Sequence, residues 1–204
     1  MLNPRITTNL SRPLLFLDFD DVICLNTKFT GFDVMYALSQ IEKGTASLED
    51  FEEVWHEVFD HEAKKYLRAL HEEFNPFYVL STSWSNRMNR AALVAVLKQT
   101  ELNFIAENLH PTWQTIRGFG GQTRMREIGS WRGRHPEFDH LWIVLDDECS
   151  GTGFDIYPEK SDKQFIILCK EGAGLTKSEY IELQIAFNSR LDLVNKDAGP
   201  IMPV

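Results

Sequence analysis

Three short polar clusters matter because of what precedes each of them. Asp18, Asp20 and Asp21 come directly after Leu14-Leu15-Phe16-Leu17, Ser81, Thr82 and Ser83 after Phe77-Tyr78-Val79-Leu80, and Asp146 and Asp147 after Leu141-Trp142-Ile143-Val144-Leu145. A short continuous apolar run bounded by polar residues reads as a strand buried on both faces. If the three strands are parallel neighbours, their clusters meet beyond the carboxyl ends, where open α/β sheets bind ligands. Carboxylates crowded together there repel one another and need a cation, raised pKa values, or both. The donors are all oxygen, without His or Cys, which favours Mg2+, Mn2+ or Ca2+ over zinc. Mg2+ typically takes one or two carboxylates together with waters and phosphate oxygens. A hydroxyl-rich turn leading into a helix favours an anion, because free N–H groups point out of the helix start. Acids, a hard cation and an anion pocket together suggest phosphoryl chemistry. One aspartate can attack phosphorus and form an aspartyl-phosphate, and a carboxyl two residues away can act as general acid.

The elements that must position these clusters alternate between strand-like and helix-like. Pro13 to Asp18 reads as the first buried strand. Residues 26–50 are mixed, with helical character from Val34 to Ile41. Asp60 to Phe74 is an amphipathic helix with Ala63, Tyr66, Leu67, Leu70 and Phe74 on one face, stopped by Asn75-Pro76. After the strand Phe77 to Leu80, Ser85 is the expected N-cap of a helix through Leu97, and a weak extended segment is expected around Phe104-Ile105. Gly118, Gly120 and Gly121 suggest a mobile loop within 112–123, followed by a helix from Thr123 to Arg132. Leu141 to Leu145 and Gln164 to Cys169 are further strands, and Thr176 with Glu179 fits a capping box opening a last helix to about Leu193. The tail from Gly199-Pro200 looks loose. The pattern implies an α/β fold: a Rossmann-like, doubly wound parallel sheet with helices on both faces. We expect one domain over residues 1–204 with a small helical insert at about 26–58.

Composition narrows the function classes. The chain has 204 residues, 21 Lys+Arg against 30 Asp+Glu, a formal net charge of −9, and 43% hydrophobic residues. Such a chain can bury a core and is not of the disordered class. No apolar run approaches the roughly 20 residues of a membrane-spanning helix, and three carboxylates at 18–21 do not suit a signal peptide. Cys24, Cys149 and Cys169 are few and scattered, which suits reduced thiols and a cytoplasmic location rather than a disulfide framework. The acidic balance argues against broad nonspecific nucleic-acid binding, though a local basic patch remains compatible with it. Trp84, Trp131 and Trp142 read as packing residues, and His110, His135 and His140 lack ligand spacing. Cys149 reads as a small half-buried residue.

The ordered motifs resemble a known superfamily. Leu17-Asp18-Phe19-Asp20-Asp21-Val22 is similar to motif I of the haloacid-dehalogenase-like (HAD) superfamily, Leu80-Ser81 to its motif II and Leu145-Asp146-Asp147 to its motif IV, over roughly residues 14–192. Within it, Leu80-Ser81-Thr82-Ser83-Trp84 and Gly174-Leu175-Thr176 look closest to small-cap, phosphatase-like domains associated with RNA repair and polynucleotide phosphatases. The resemblance implies roles. Asp18 would be the nucleophile and a metal ligand. Asp20 would be the general acid, then base, and bind metal through its backbone carbonyl. Ser81, with Thr82 as alternative, would hold the phosphoryl group. Asp146 would hold Mg2+, with Asp147 as a direct or indirect partner. Motif III, a cation that neutralises the phosphoryl group, falls on Arg124, with Arg126 as alternative; an Arg fork suits phosphate oxygens. Position 21 departs from the family, which most often has Gly there; Asp tolerates turns better than most residues.

The resemblance therefore implies a Mg2+-dependent phosphomonoester hydrolase. Dehalogenation would have no use for Asp20, since halide leaves without a proton. The interval between Asp21 and Asp60 allows a small flap rather than a full lid. Arg117, Arg124, Arg126, Arg132 and Arg134 form a basic stretch beside Trp113 and Gly118-Phe119-Gly120-Gly121, and such a stretch could track a nucleic-acid backbone or be only a solvated face. A nucleotide or polynucleotide terminal phosphate is the first expectation and a phosphorylated small molecule the second. The alternative from another class is a catalytically weak or inactive HAD-fold binding or regulatory module.

Overall fold

The apolar runs at 14–17 and 77–80, and that at 141–145 from its second residue, lie in strands of the computed structural model, which describes residues 12–116, 123–148, 152–156 and 159–197. The order is β1 (Leu14–Leu17), α1 (Gly31–Glu42), α2 (Glu52–Glu57), α3 (His61–Phe74), β2 (Phe77–Leu80), α4 (Arg90–Gln99), α5 (Asn103–Glu107), β3 (Leu109–Gln114), α6 (Arg124–Arg132), β4 (Trp142–Asp147), β5 (Ile166–Cys169) and α7 (Lys177–Asp197). The strands form a five-stranded sheet in the order β3-β2-β1-β4-β5, and every neighbouring pair is parallel. Helices flank it, so the α/β, Rossmann-like class read from the sequence holds.

Register places the polar clusters. Leu17 lies opposite both Leu80 of β2 and Leu145 of β4. One residue further, Asp18, Ser81 and Asp146 stand abreast. The ladder continues that far, with the Asp18 N–H donating to the Leu145 carbonyl at 3.0 Å and the Ser81 N–H to the Leu17 carbonyl at 2.9 Å. All four side chains of β1 are fully buried, as a central parallel strand requires. Around the sheet, α3 and α7 meet through stacked Tyr66–Tyr180 and Phe74–Phe187 pairs, and α6 sets Trp131 edge-on to Phe16.

Several boundaries differ from the sequence reading, each for a local reason. Ser85 does not cap a helix; its hydroxyl donates back to the Thr82 carbonyl at 2.8 Å within a single 3-10 turn at Ser83–Asn86. The cap of α4 is Asn89, whose side chain accepts from the Ala92 N–H at 2.9 Å. Phe104-Ile105 is helical rather than extended, because Leu102, Ile105, Ala106 and Leu109 bury at helical spacing; the strand follows at 109–114. β4 runs through Asp147, so the acid pair ends the strand instead of following it. A 3-10 turn at Lys163–Phe165 delays β5 to Ile166, and α7 continues to Asp197. The expected glycine-rich loop at Gly118–Gly121, Arg117, Cys149 and the tail from Gly199 lie outside the described residues.

The segment after β1 docks next to the strand ends. Thr30 caps α1 by accepting from the Phe32 N–H at 3.2 Å, while Asp33 accepts from the Thr30 N–H at 2.8 Å. Gly31 sits so close to Trp84 that a Cβ would stand 2.7 Å from the indole Cε2. The Asp60 N–H closes the segment by donating to the Ile23 carbonyl at 2.7 Å. No described helix is long and apolar enough to cross a membrane.

Candidate active site

The turn after β1 is drawn tight by its own backbone. The N–H groups of Ile23 and Cys24 both donate to the Phe19 carbonyl, and the Asp21 N–H donates to the Cys24 carbonyl at 2.8 Å. Asp21 has φ of +53°, the left-handed region where Gly is easiest. Its carboxylate accepts from the Gly172 N–H at 3.1 Å, so an aspartate here ties the turn to the loop before α7.

That turn aims Asp18 and Asp20 differently. Asp18 is 2% exposed, at the centre of the row of strand ends. The Thr82 hydroxyl and the Phe19 N–H lie close enough to favour its ionised form. Asp20 reaches outward to the turn after β2, accepting from Ser83 Oγ at 2.9 Å and from Trp84 Nε1 at 3.0 Å. Ser81 is buried, and its hydroxyl pairs with Thr115 Oγ1 at 3.2 Å. Asp146 is fully buried and accepts the Asp147 N–H at 3.0 Å. Asp18, Asp146 and Asp147 each bring an oxygen within 4.8 Å of the others.

Arg124, on the first turn of α6, faces this group. Its Nη1 lies 3.3 Å from Asp18 Oδ1 and 3.5 Å from Asp146 Oδ2. The alternative, Arg126, is exposed, and two residues along a helix point to different sides. Arg132 stacks over Trp142 and pairs with Asp139 and Asp162. The described arginines of this stretch therefore do not share one face.

The electrostatics follow from burial. Removal from water pushes the Asp18 carboxyl up to about 7, with Arg124, the Phe19 N–H and the Thr82 hydroxyl pulling the other way. Asp146 is pushed up by the same desolvation and by Asp18 and Asp147 beside it, against Arg124. Burial alone would lower the Arg124 guanidinium, but Asp146 and Asp18 raise it. Cys24 is pushed up to about 12 by burial, so its thiol is no ready nucleophile.

Despite the ion-pair distances, Asp18 Oδ1, Asp146 Oδ2 and Arg124 Nη1 have no hydrogen-bond partner among the described residues. Buried acceptors left unpaired are costly. Two unspent carboxylate oxygens with a third acid beside them fit a hard divalent cation, and an unspent guanidinium N–H fits an anionic oxygen.

Sequence reading had foreseen neither Ser83 and Trp84 as partners of Asp20 nor Thr115 as partner of Ser81. An indole directly after a hydroxyl cluster was the available signal, because a buried indole N–H needs an acceptor.

No curated protein and no solved structure gives a significant match to the chain. A family model matches residues 14–180, from the first residue of β1 into α7 and across all the positions above. On that match the chain belongs to the family described as the HAD domain in Swiss Army Knife RNA repair proteins.

Proposed function

We propose that the protein is a Mg2+-dependent phosphomonoester hydrolase that works through an aspartyl-phosphate on Asp18. The observation that carries this is the row of strand ends: a buried Asp18 abreast of Ser81 and Asp146, with an unspent Arg124 N–H directed at it. Asp18, Asp146 and Asp147, with the Asp20 backbone carbonyl, would hold the cation. When bound, Mg2+ supplies positive charge that lets Asp18 stay ionised and neutralises phosphoryl oxygens.

The side chains divide the remaining work. Asp18 Oδ attacks phosphorus, and the bond to the leaving oxygen breaks. Asp20, held outward by Ser83 and Trp84, delivers a proton to that oxygen and later takes one from the attacking water. Arg124 donates to the transferring phosphoryl oxygens, and Ser81 or Thr82 contributes a hydroxyl. The Thr82 hydroxyl favours the ionised Asp18 from beside it, and Ser81 is engaged with Thr115. The family's description as an RNA-repair domain supports nucleotide or polynucleotide terminal phosphates as substrates ahead of other phosphorylated small molecules. A cytoplasmic setting belongs to the same proposal and is supported by the buried free thiols of Cys24 and Cys169.

One observation favours a second reading. Arg124 lies against Asp18 and Asp146 together and offsets their charge without a metal, as suits a binding or regulatory module with little turnover. Phosphate release from an aryl phosphate, with and without Mg2+, separates the two. Magnesium-dependent release that falls by roughly a thousandfold in Asp18→Asn is the expected result. Absence of release, together with no Mg2+ binding by calorimetry, would establish the binding module.

A further inference from the structure

A pocket of about 270 Å3 opens against Asp20, between the start of α1 and the turn after β2. Phe32, Met35, Trp84, Arg87 and Met88 form half of its lining. Its position identifies its occupant. On the reading above, on which this inference rests, Asp20 protonates the leaving oxygen, so whatever that oxygen belongs to must extend past Asp20 into this space.

The wall specifies the chemistry. Phe32 is 64% exposed on the first turn of α1, so much of its ring is open to a ligand. The Arg87 guanidinium lies 4.7 Å from the centre of that ring. Among the described residues Arg87 makes no ion pair, so its planar donor fork is available at the pocket mouth. The rest of the lining sets Met35 and Met88, side chains that adapt to flat ligands, beside the polar Asp20, Asn26, Thr30 and Ser83. The volume is below the roughly 300–1,000 Å3 of pockets for drug-sized ligands, which limits the occupant to about one ring system with its attachment. An exposed aromatic ring, an Arg beside it and adaptable thioether side chains next to polar ones match a nucleobase, which offers a π-face and edge donors and acceptors together.

We propose that this pocket holds the base of the leaving nucleoside, stacked on Phe32 with Arg87 donating to its edge, so that Phe32 and Arg87 set the preference for nucleotide phosphoesters. Neither residue touches the reacting atoms, and their removal leaves the chemistry at Asp18 intact.

The test has two arms. In the first, phosphate release from 3′- and 5′-nucleoside monophosphates is compared with release from ribose 5-phosphate, for wild type, Phe32→Ala and Arg87→Ala with Mg2+. Wild type should prefer a nucleotide, and Phe32→Ala should lower kcat/KM for it about tenfold, chiefly through KM, the size expected for one lost base stack. Ribose 5-phosphate hydrolysis should not change. Equal losses on both substrates, or no loss on either, would overturn the proposal. In the second arm, adenosine and uridine, which carry no phosphate, are titrated into the wild-type protein and Phe32→Ala by calorimetry. Binding lost in the variant supports the pocket even if no phosphatase activity is found. Turnover without nucleoside binding or nucleotide preference would keep the phosphatase and overturn the base pocket.

Discussion

Replacing Asp18 by Asn should make the protein more stable when no cation is supplied, while removing its activity. Asp18 is 2% exposed, and burial pushes its carboxyl from 3.8 up to about 7 even with Arg124 beside it. A carboxyl whose folded pKa is raised keeps its proton in the folded chain at a pH where the unfolded chain has released it. The stability it contributes is therefore fully present below about 3.8 and is lost as pH rises through about 7. At 1.36 kcal/mol per unit, the ionised side chain costs about 4 kcal/mol once pH exceeds both values. Asn removes the charge but leaves a buried amide, which takes back about 1–3 kcal/mol. Arg124 keeps Asp146 as a partner. The net gain at pH 8 is about 2 kcal/mol, or about 4–8 °C in Tm for a chain of this size. Thermal unfolding in a chelator should show that gain at pH 8 and its disappearance near pH 5. Added Mg2+ at a hundred times its Kd should then raise wild type by about 2.7 kcal/mol and the variant by much less. A lower Tm for Asp18→Asn at pH 8 in chelator, or a difference that ignores pH, would refute the account of a desolvated, uncompensated carboxylate.

Three further outcomes follow from particular contacts. In Gly31→Ala the new methyl stands 2.7 Å from Trp84 Cε2 and shifts the buried indole that donates to Asp20; kcat should fall by about 10- to 100-fold, with a loss of about 1–3 kcal/mol in urea unfolding. Gly174 has φ of +66°, and an added Cβ would lie 2.8 Å from the Val22 carbonyl, so Gly174→Ala should destabilise by about 1–3 kcal/mol in urea unfolding. His110 is lowered below 6.5 by burial, with His135 adding to the effect, so it is held neutral and its contribution is present above about 6.5 and lost as pH falls below that. Relative to wild type, His110→Gln should therefore gain stability as pH falls from 7.5 to 5.5 in thermal unfolding, against the opposite trend that Asp18 sets, while His71, which burial also lowers, acts in both proteins.

The site's backbone was legible in the sequence because its strands are buried on both faces. Continuous apolar runs such as 14–17 have one sensible reading, and parallel pairing puts whatever follows them in one row. What that row contains depends only on residue identity, so Asp18, Ser81 and Asp146 could be named in advance. The sequence left Arg124 and Arg126 open because both suit a cation on one short helix, and only the docking of α6 shows that Arg124 faces Asp18. It also could not place the segment after β1. Gly31 is silent until Trp84 is seen against it, and Trp84 reads as core until its N–H is found on Asp20. Phe104-Ile105 was misread because a short apolar pair has no period of its own; the helical spacing emerges only when Leu102 and Leu109 are included.

The lockstep of β2, β1 and β4 has a consequence for how the protein folds. Asp18 and its flanking partners are far apart in the chain but adjacent across the ladder, so their meeting is a long-range event of the kind that slows folding. β1 and β2 can pair while Asp146 and Asp147 are still unfolded, and at that stage Asp18 faces no other buried acid from β4. The repulsion arises only when β4 zips alongside β1. Pairing β4 with β1 therefore carries the least favourable electrostatics, and a divalent cation present at that moment should speed refolding by easing that step.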